Sequence, residues 1–322
     1  MNVRLAAPTE QVLSRREAMR MSKSYVNSQG SSFEDVGSRG HSVHMHTPLP
    51  VAAFAAASYV APALVAPFFR KMMLTPRRDA RPAPRLDLPV ADERLDLGDG
   101  LVAWRWGEGP TVLLVHGFEG NRAQFGAVIE ALVARGFAAV ALDVPAHGES
   151  AGHELTAVKF IAAIERALDH LAPVHSVIGH SMGGAMALFT LAKRGGAKNV
   201  ALISAPSALG RELRRFARAV GLSKRGTDAF IASVEKHVGR SADDFDVRHI
   251  ADGVELPVLL VHDQNDRQVP VLESARAAHM LSTAELIVTR GLGHNRLLAD
   301  PAVVASVVDF VVQETTGSGS TL

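Results

Sequence analysis

Residues 174–187 read Val174-His175-Ser176-Val177-Ile178-Gly179-His180-Ser181-Met182-Gly183-Gly184-Ala185-Met186-Ala187. A short aliphatic run enters a serine flanked by glycines, and a helical pattern leaves it. The order is strand, sharp turn, helix, with G-x-S-x-G at the turn. The triplet alone arises by chance in about one chain in ten of this size, so its flanks carry the argument. A serine at such a turn is strained, and only small neighbours let the chain pass so tightly. Gly179, Gly183 and Gly184 are those neighbours. The expected turn raises the Ser181 hydroxyl at the end of a sheet, beside a helix N-terminus.

The same alternation extends in both directions. Short apolar runs recur at Thr111–Val115, Ala138–Leu142, Asn199–Ser204, Pro257–Val261 and Glu285–Thr289, and Leu101–Trp106 alternates as a strand does. Helical patterns separate most of them, at Gln124–Arg135, Ala157–Leu171 and Met182–Arg194, and Pro301–Val312 closes the series. Strands alternating with helices predict an α/β fold with a mainly parallel sheet. Strands that are continuously apolar predict helices on both faces. Between Ser204 and Leu256 the rhythm breaks. Two helical patterns, Leu209–Val220 and Thr227–Val238, stand there without a strand. We expect a small helical cap at 208–252 between two parts of one core, 86–207 and 253–316. Arg211, Arg214, Arg215 and Arg218 with Glu212 read as a solvated helix face, or as a basic lip over a pocket.

The N-terminal part has a different character. Residues 1–90 carry 12 Lys+Arg against 6 Asp+Glu, and the rest carry 22 against 27, so a basic start precedes a slightly acidic body. Residues 1–48 lack an apolar period and are Ser/Gly-rich over Ser22–Ser42, which predicts a disordered tail; 317–322 form a second short tail. His41, His44 and His46 fall in that stretch, and imidazoles on an unstructured segment make no preorganised metal site. Within 49–85, residues 51–69 are uncharged and about long enough to span a bilayer. Arg70, Lys71, Arg77, Arg78, Arg81 and Arg85 follow. Pro62 and Pro67 interrupt the run, so a helix docked on the body or lying at a membrane interface competes with a span. A span would leave the body on the cytoplasmic side, by the excess of basic residues there.

Over 322 residues, 47% are hydrophobic and 21% charged, the balance of a globular chain with a sizeable core. No cysteine is present, which excludes disulfides, zinc–thiolate sites and a thiol nucleophile. A net charge of +1 provides no field for nucleic acid. No motif requires a cofactor or a metal.

A serine hydroxyl needs a base to take its proton. Gly291-Leu292-Gly293-His294 lies after the strand Glu285–Thr289, and its glycines let a tight loop project the His294 ring. The base needs an orienting carboxylate. The loop His262-Asp263-Gln264-Asn265-Asp266 offers two, and Asp266 is preferred because it lies farther out. Asp263 remains the second candidate and is expected to hold the turn by an Asx bond. The oxyanion of an acyl-transfer intermediate needs backbone donors. The candidates are the N–H of Met182, directly after the serine, and that of Phe118 in the loop His116-Gly117-Phe118-Glu119-Gly120. His116 reads as structural. The loop Asp143–Ser150 reads as a rigid turn beside the pocket.

Taken together, His116-Gly117, the D-x-P-x-H-G-x-S loop at Asp143–Ser150, Gly179–Gly184, Asp266–Pro270 and Gly291–His294 resemble the α/β-hydrolase superfamily in content and order. The words HGFEG, HDQNDRQVP and GLGHNRLL, with Leu74-Thr75-Pro76-Arg77-Arg78, look most like a proteobacterial group within it. The resemblance implies an α/β-hydrolase fold with a small helical cap. It implies Ser181 as nucleophile, Asp266 as acid, His294 as base, and Phe118 and Met182 as oxyanion donors. A serine esterase or thioesterase acting on a small-molecule substrate is the expectation. A catalytically silent binding protein, a C–C bond hydrolase and a cofactor-free haloperoxidase are the alternatives.

Overall fold

The computed structural model describes residues 11–13, 49–77 and 88–316. The strands are β1 (Gln11–Leu13), β2 (Glu93–Asp96), β3 (Val102–Trp106), β4 (Thr111–Val115), β5 (Ala138–Asp143), β6 (Val174–His180), β7 (Asn199–Ile203), β8 (Val258–Asp263) and β9 (Ala284–Thr289). They form one sheet in the order β1-β9-β8-β7-β6-β4-β5-β3-β2. From β5 through β9 every neighbouring pair is parallel, while β2, β3 and β1 join antiparallel at the edges.

Both sheet faces are covered, which is why the central strands are apolar without alternation. Leu113 and Val115 of β4 point to one face, into a core with Phe160, Ile164 and Leu168 of α4 (Ala157–His170) and with α5 (Met182–Arg194). Val112 and Leu114 point to the other, against α3 (Gly126–Ala134) and α10 (Pro301–Thr316) through Ile129, Leu132, Val307 and Val311. Helices α8 (Leu272–Met280) and α9 (Gly293–Arg296) flank the late strands.

Helices α6 (Leu209–Ala219) and α7 (Lys224–Val238) occupy the interval without strands. They pack against an N-terminal hairpin, α1 (Leu49–Ala57) and α2 (Pro62–Leu74), in a third core containing Phe69, Leu213, Phe230 and Val234. The hairpin turn is pinned to the cap. Ser223, which caps α7 through the Gly226 N–H, donates its own N–H to Ser58 Oγ at 3.0 Å and its hydroxyl to Ser58 O at 2.8 Å.

Two readings of the N-terminal part can now be compared with the structure. The apolar run 51–69 is not a membrane span: it folds as two helices, because Pro62 lacks an N–H and begins a new helix after the turn at 58–61. Among the described residues no helix is long and apolar enough to cross a membrane. Of residues 1–48 the structure describes Gln11–Leu13, which pairs antiparallel with the edge strand β9. His41, His44 and His46 lie outside the described residues, as do Arg78, Arg81, Arg85 and 317–322.

Candidate active site

Ser181 sits between β6 and α5 with φ 54° and ψ −127°, a conformation costly for any residue with a side chain. Backbone bonds hold it there. Its N–H donates to Ile203 O at 2.8 Å, and its own carbonyl accepts from Gly184 and Ala185 at 3.1 and 3.2 Å. A Cβ on Gly183 would lie 2.3 Å from Val115 O and 2.5 Å from His116 O. The first turn of α5 therefore abuts the loop after β4, which carries Phe118 to the same cavity as Met182 and Ser181.

The loops after β8 and β9 bring the candidate base and acid together. His294 Nδ1 lies 2.7 Å from Asp266 Oδ2, and both side chains are almost wholly buried. Asp266 Oδ1 accepts from the N–H groups of Gln268 and Val269, at 2.8 and 3.0 Å. Burial alone would raise the Asp266 carboxyl. Hydrogen bonds from His262 and His294 outweigh it and hold the group well below the ordinary carboxylate range. An ionised Asp266 fixes the proton of His294 on Nδ1 and leaves Nε2 as an acceptor. Asp263 does not reach the histidine through any hydrogen bond. Its Oδ1 accepts from Asn265 N at 2.9 Å, an Asx turn, and its Oδ2 accepts from Thr289 Oγ1 and Leu292 N at 2.8 and 3.0 Å. It braces the loop that carries His294.

Three further histidines join the loops. A carbonyl oxygen only accepts, so each contact with one fixes a tautomer. His180 Nε2 donates to His294 O at 3.0 Å, leaving Nδ1 to accept from Gln124 at 3.1 Å. His116 Nδ1 donates to Gly117 O, and its Nε2 accepts from Val144 N. His147 Nδ1 donates to Pro145 O, and its Nε2 accepts from Glu119 N. Burial pushes His116 and His180 down to about 3, so both rings stay neutral at ordinary pH. Asp143 is buried under Arg122 at 2.8 Å and Trp104 Nε1 at 3.1 Å, which closes the Asp143–Ser150 turn.

Ser181 and His294 open into a cavity of about 340 Å³. Its walls include Phe160 and Leu155 from the core, Leu213 and Phe216 from the cap, and Met73 and Leu74 from the N-terminal hairpin. Leu74 is fixed there by the Leu155 N–H, which donates to its carbonyl at 2.8 Å, and Arg77 makes a two-pronged ion pair with Glu119, at 2.8 and 2.9 Å. The hairpin is thus part of the cavity wall, which the apolar run alone did not disclose. The Arg-rich helix also differs from the solvated-face reading. Arg214 and Arg218 are exposed, but Glu212 and Arg215 form an ion pair that lines the cavity. The signal lay in the helix period: Leu209, Glu212, Leu213 and Phe216 share one face.

Residues 110–230 match a family described as alpha/beta hydrolase fold, and residues 238–320 match one described as TAP-like protein. The chain has the α/β-hydrolase fold. Both matches support its place in the α/β-hydrolase superfamily. Alpha/beta hydrolase domain-containing protein 10 from mouse is similar at 19% identity and a TM-score of 0.56, over 70% of this chain and 99% of that one. A monoacylglycerol lipase from Paleococcus ferrophilus is similar at 23% identity and 0.54, over 66% and 98%. The thioesterase domain from the curacin biosynthetic pathway is similar at 18% and 0.51, over 68% and 98%. No curated protein matches the chain.

Proposed function

We propose that the protein is a serine hydrolase that cleaves carboxylic esters or thioesters through an acyl-enzyme at Ser181. His294 Nε2 takes the hydroxyl proton as Ser181 Oγ attacks the acyl carbon, and then gives it to the leaving oxygen or sulfur. Asp266 holds the ring in the required tautomer. The N–H groups of Phe118 and Met182 receive the oxyanion. Water activated by the same histidine releases the acid. The observation that carries this reading is the 2.7 Å contact between His294 and Asp266, beside a strained serine on the same cavity.

The mainly apolar walls favour an acyl chain of small to medium length. The test is hydrolysis of p-nitrophenyl esters of two to twelve acyl carbons, with labelling by a fluorophosphonate. Wild type should turn over and be labelled, and Ser181→Ala should do neither while keeping its fold. A folded wild type that neither turns over nor reacts would overturn the enzyme reading in favour of a binding protein.

The N-terminal hairpin also supports an interfacial contact with a membrane. Phe54, Tyr59, Val60 and Leu64 are exposed, and Arg70 and Lys71 follow them.

A further inference from the structure

The Glu212–Arg215 pair is the polar feature that an apolar acyl cavity does not require. Placing two charges against apolar walls costs several kcal/mol per ion unless hydrogen bonds compensate, and the cost shows at Glu212, whose carboxyl burial pushes up to about 7 against the pull of Arg215. The side chains here are 13% and 22% exposed, and they face the cavity. Arg215 donates through one terminal nitrogen to Glu212 Oε1. Among the described residues, Glu212 Oε2 and Arg215 Nε have no hydrogen-bond partner. The second terminal nitrogen of Arg215 stands 3.7 Å from Glu273, beyond hydrogen-bond reach. Glu273 is already served by Arg211 at 3.0 Å, Arg276 at 3.1 Å and Ser207 Oγ at 2.5 Å.

Other charged side chains at the cavity are committed elsewhere. Glu119 pairs with Arg77, Glu235 accepts from Ser241 Oγ and Ala242 N, and Arg240 pairs with Asp244. Among the described residues at the cavity, Glu212 and Arg215 are bonded directly to each other and still offer an open acceptor and an open donor side by side. At the cavity wall a carboxylate on the substrate would meet Glu212, and an ammonium would meet Arg215, so a like charge faces each. A plain alkyl chain would cover the open valences and leave them unsatisfied. A hydroxyl is donor and acceptor at once and matches the pair.

We propose that Glu212 and Arg215 determine specificity, selecting acyl chains that carry a hydroxyl over plain alkyl chains. The inference deepens the hydrolase reading of Ser181 and rests on it for the identity of the ligand as an acyl chain.

The test is binding, so that it does not depend on turnover. Methyl decanoate, methyl 3-hydroxydecanoate and methyl 10-hydroxydecanoate are titrated calorimetrically into full-length Ser181→Ala. One hydroxylated ester should bind about ten- to a hundredfold more tightly than the plain one, the scale of a hydrogen bond to a charged group. Adding Glu212→Leu with Arg215→Met removes both charges together, so no lone buried ion remains. That preference should then vanish while binding of methyl decanoate is kept or improved. A second variant, Glu212→Gln, keeps the shape and should weaken the preference if the paired variant does not fold. Equal affinities, a preference that survives both substitutions, or no binding of any ester would overturn the proposal. A hydroxyl preference in binding, with wild type inert on every ester, would sink the catalytic reading and leave the specificity of the cavity standing.

Discussion

Replacing Asp266 with asparagine removes one charge and, through the local hydrogen bonds, dictates a tautomer. Asp266 Oδ1 accepts two backbone N–H groups, from Gln268 and Val269. An amide NH₂ there would oppose two fixed donors, whereas at Oδ2 it opposes one, His262 Nε2 at 3.3 Å, beside His294, whose ring proton can move; in Asp266→Asn the side-chain oxygen therefore stays on the backbone N–H groups. The NH₂ then faces His294 Nδ1, 2.7 Å away in the native geometry. Only a lone pair on Nδ1 satisfies it, which moves the ring proton to Nε2. That nitrogen is the one required to take the Ser181 proton. The loss expected of a wrong tautomer is about 10³- to 10⁴-fold in kcat/KM, or about 4–5.5 kcal/mol of transition-state stabilisation. Asp263→Asn is the control. Both oxygens of Asp263 accept donors, so either amide orientation sets NH₂ against a donor and costs about 1–3 kcal/mol of stability. At about 2–4 °C per kcal/mol for a domain of this size, the melting temperature should fall clearly while kcat/KM changes by less than about tenfold. The assay is steady-state hydrolysis of the best p-nitrophenyl ester beside a thermal melt of each variant. If Asp263→Asn loses more activity than Asp266→Asn, or Asp266→Asn stays within tenfold of wild type, the tautomer argument fails.

Acid should unfold the protein in a definite window. His116 and His180 stand at about 3 when folded and near 6.5 when not, so below pH 6.5 the unfolded chain binds two protons that the native one refuses. Their contribution is whole above pH 6.5 and is lost as pH falls toward 3, at a limiting slope of about 2.7 kcal/mol per pH unit for the pair. Glu212, whose carboxyl burial raises to about 7, takes up a proton in the native state over the same window and offsets part of the loss; urea denaturation should still show a net drop in stability from pH 7 to pH 5, and equal midpoints and slopes at the two would contradict it. The exposed hairpin face should carry the protein onto vesicles of phosphatidylglycerol more than onto phosphatidylcholine, less so at high salt, and Tyr59→Ser with Leu64→Ser should weaken the binding. Sedimentation unaffected by lipid charge and by both substitutions would remove the membrane from consideration.

The sheet was legible because its central strands are buried on both faces and write continuous apolar words, as Thr111–Val115 does. Its edges were not. Glu93–Asp96 pairs only with β3 and is mostly exposed, so nothing selects apolar residues there, and Gln11–Leu13 is too short to carry a period. Local loop words brought Ser181, Asp266 and His294 forward as candidates, since a serine turn, a carboxylate loop and a glycine-bounded histidine each leave a mark within a few residues. The acid was ambiguous because Asp263 and Asp266 lie three residues apart, and only the fold reveals that one faces the histidine while the other faces Thr289 and Leu292. The cavity wall was least legible, and for a physical reason. A helix shows its period in sequence but not which of its two partly polar faces meets the protein. In α6 the pair Glu212–Arg215 differs from Arg214 and Arg218 by one step around the helix, and that step separates solvent from the cavity. The hairpin α1–α2 repeats the point: its apolarity was plain, yet Met73 and Leu74 reach the cavity through partners far along the chain, Ser223 on Ser58 across 165 residues and the Leu155 N–H on the Leu74 carbonyl. If the proposed hydrolase reading holds, the cavity wall that meets the substrate is built by long-range contacts, and the residues to alter first for substrate choice lie on α2 and α6, outside the loops that hold the candidate catalytic residues.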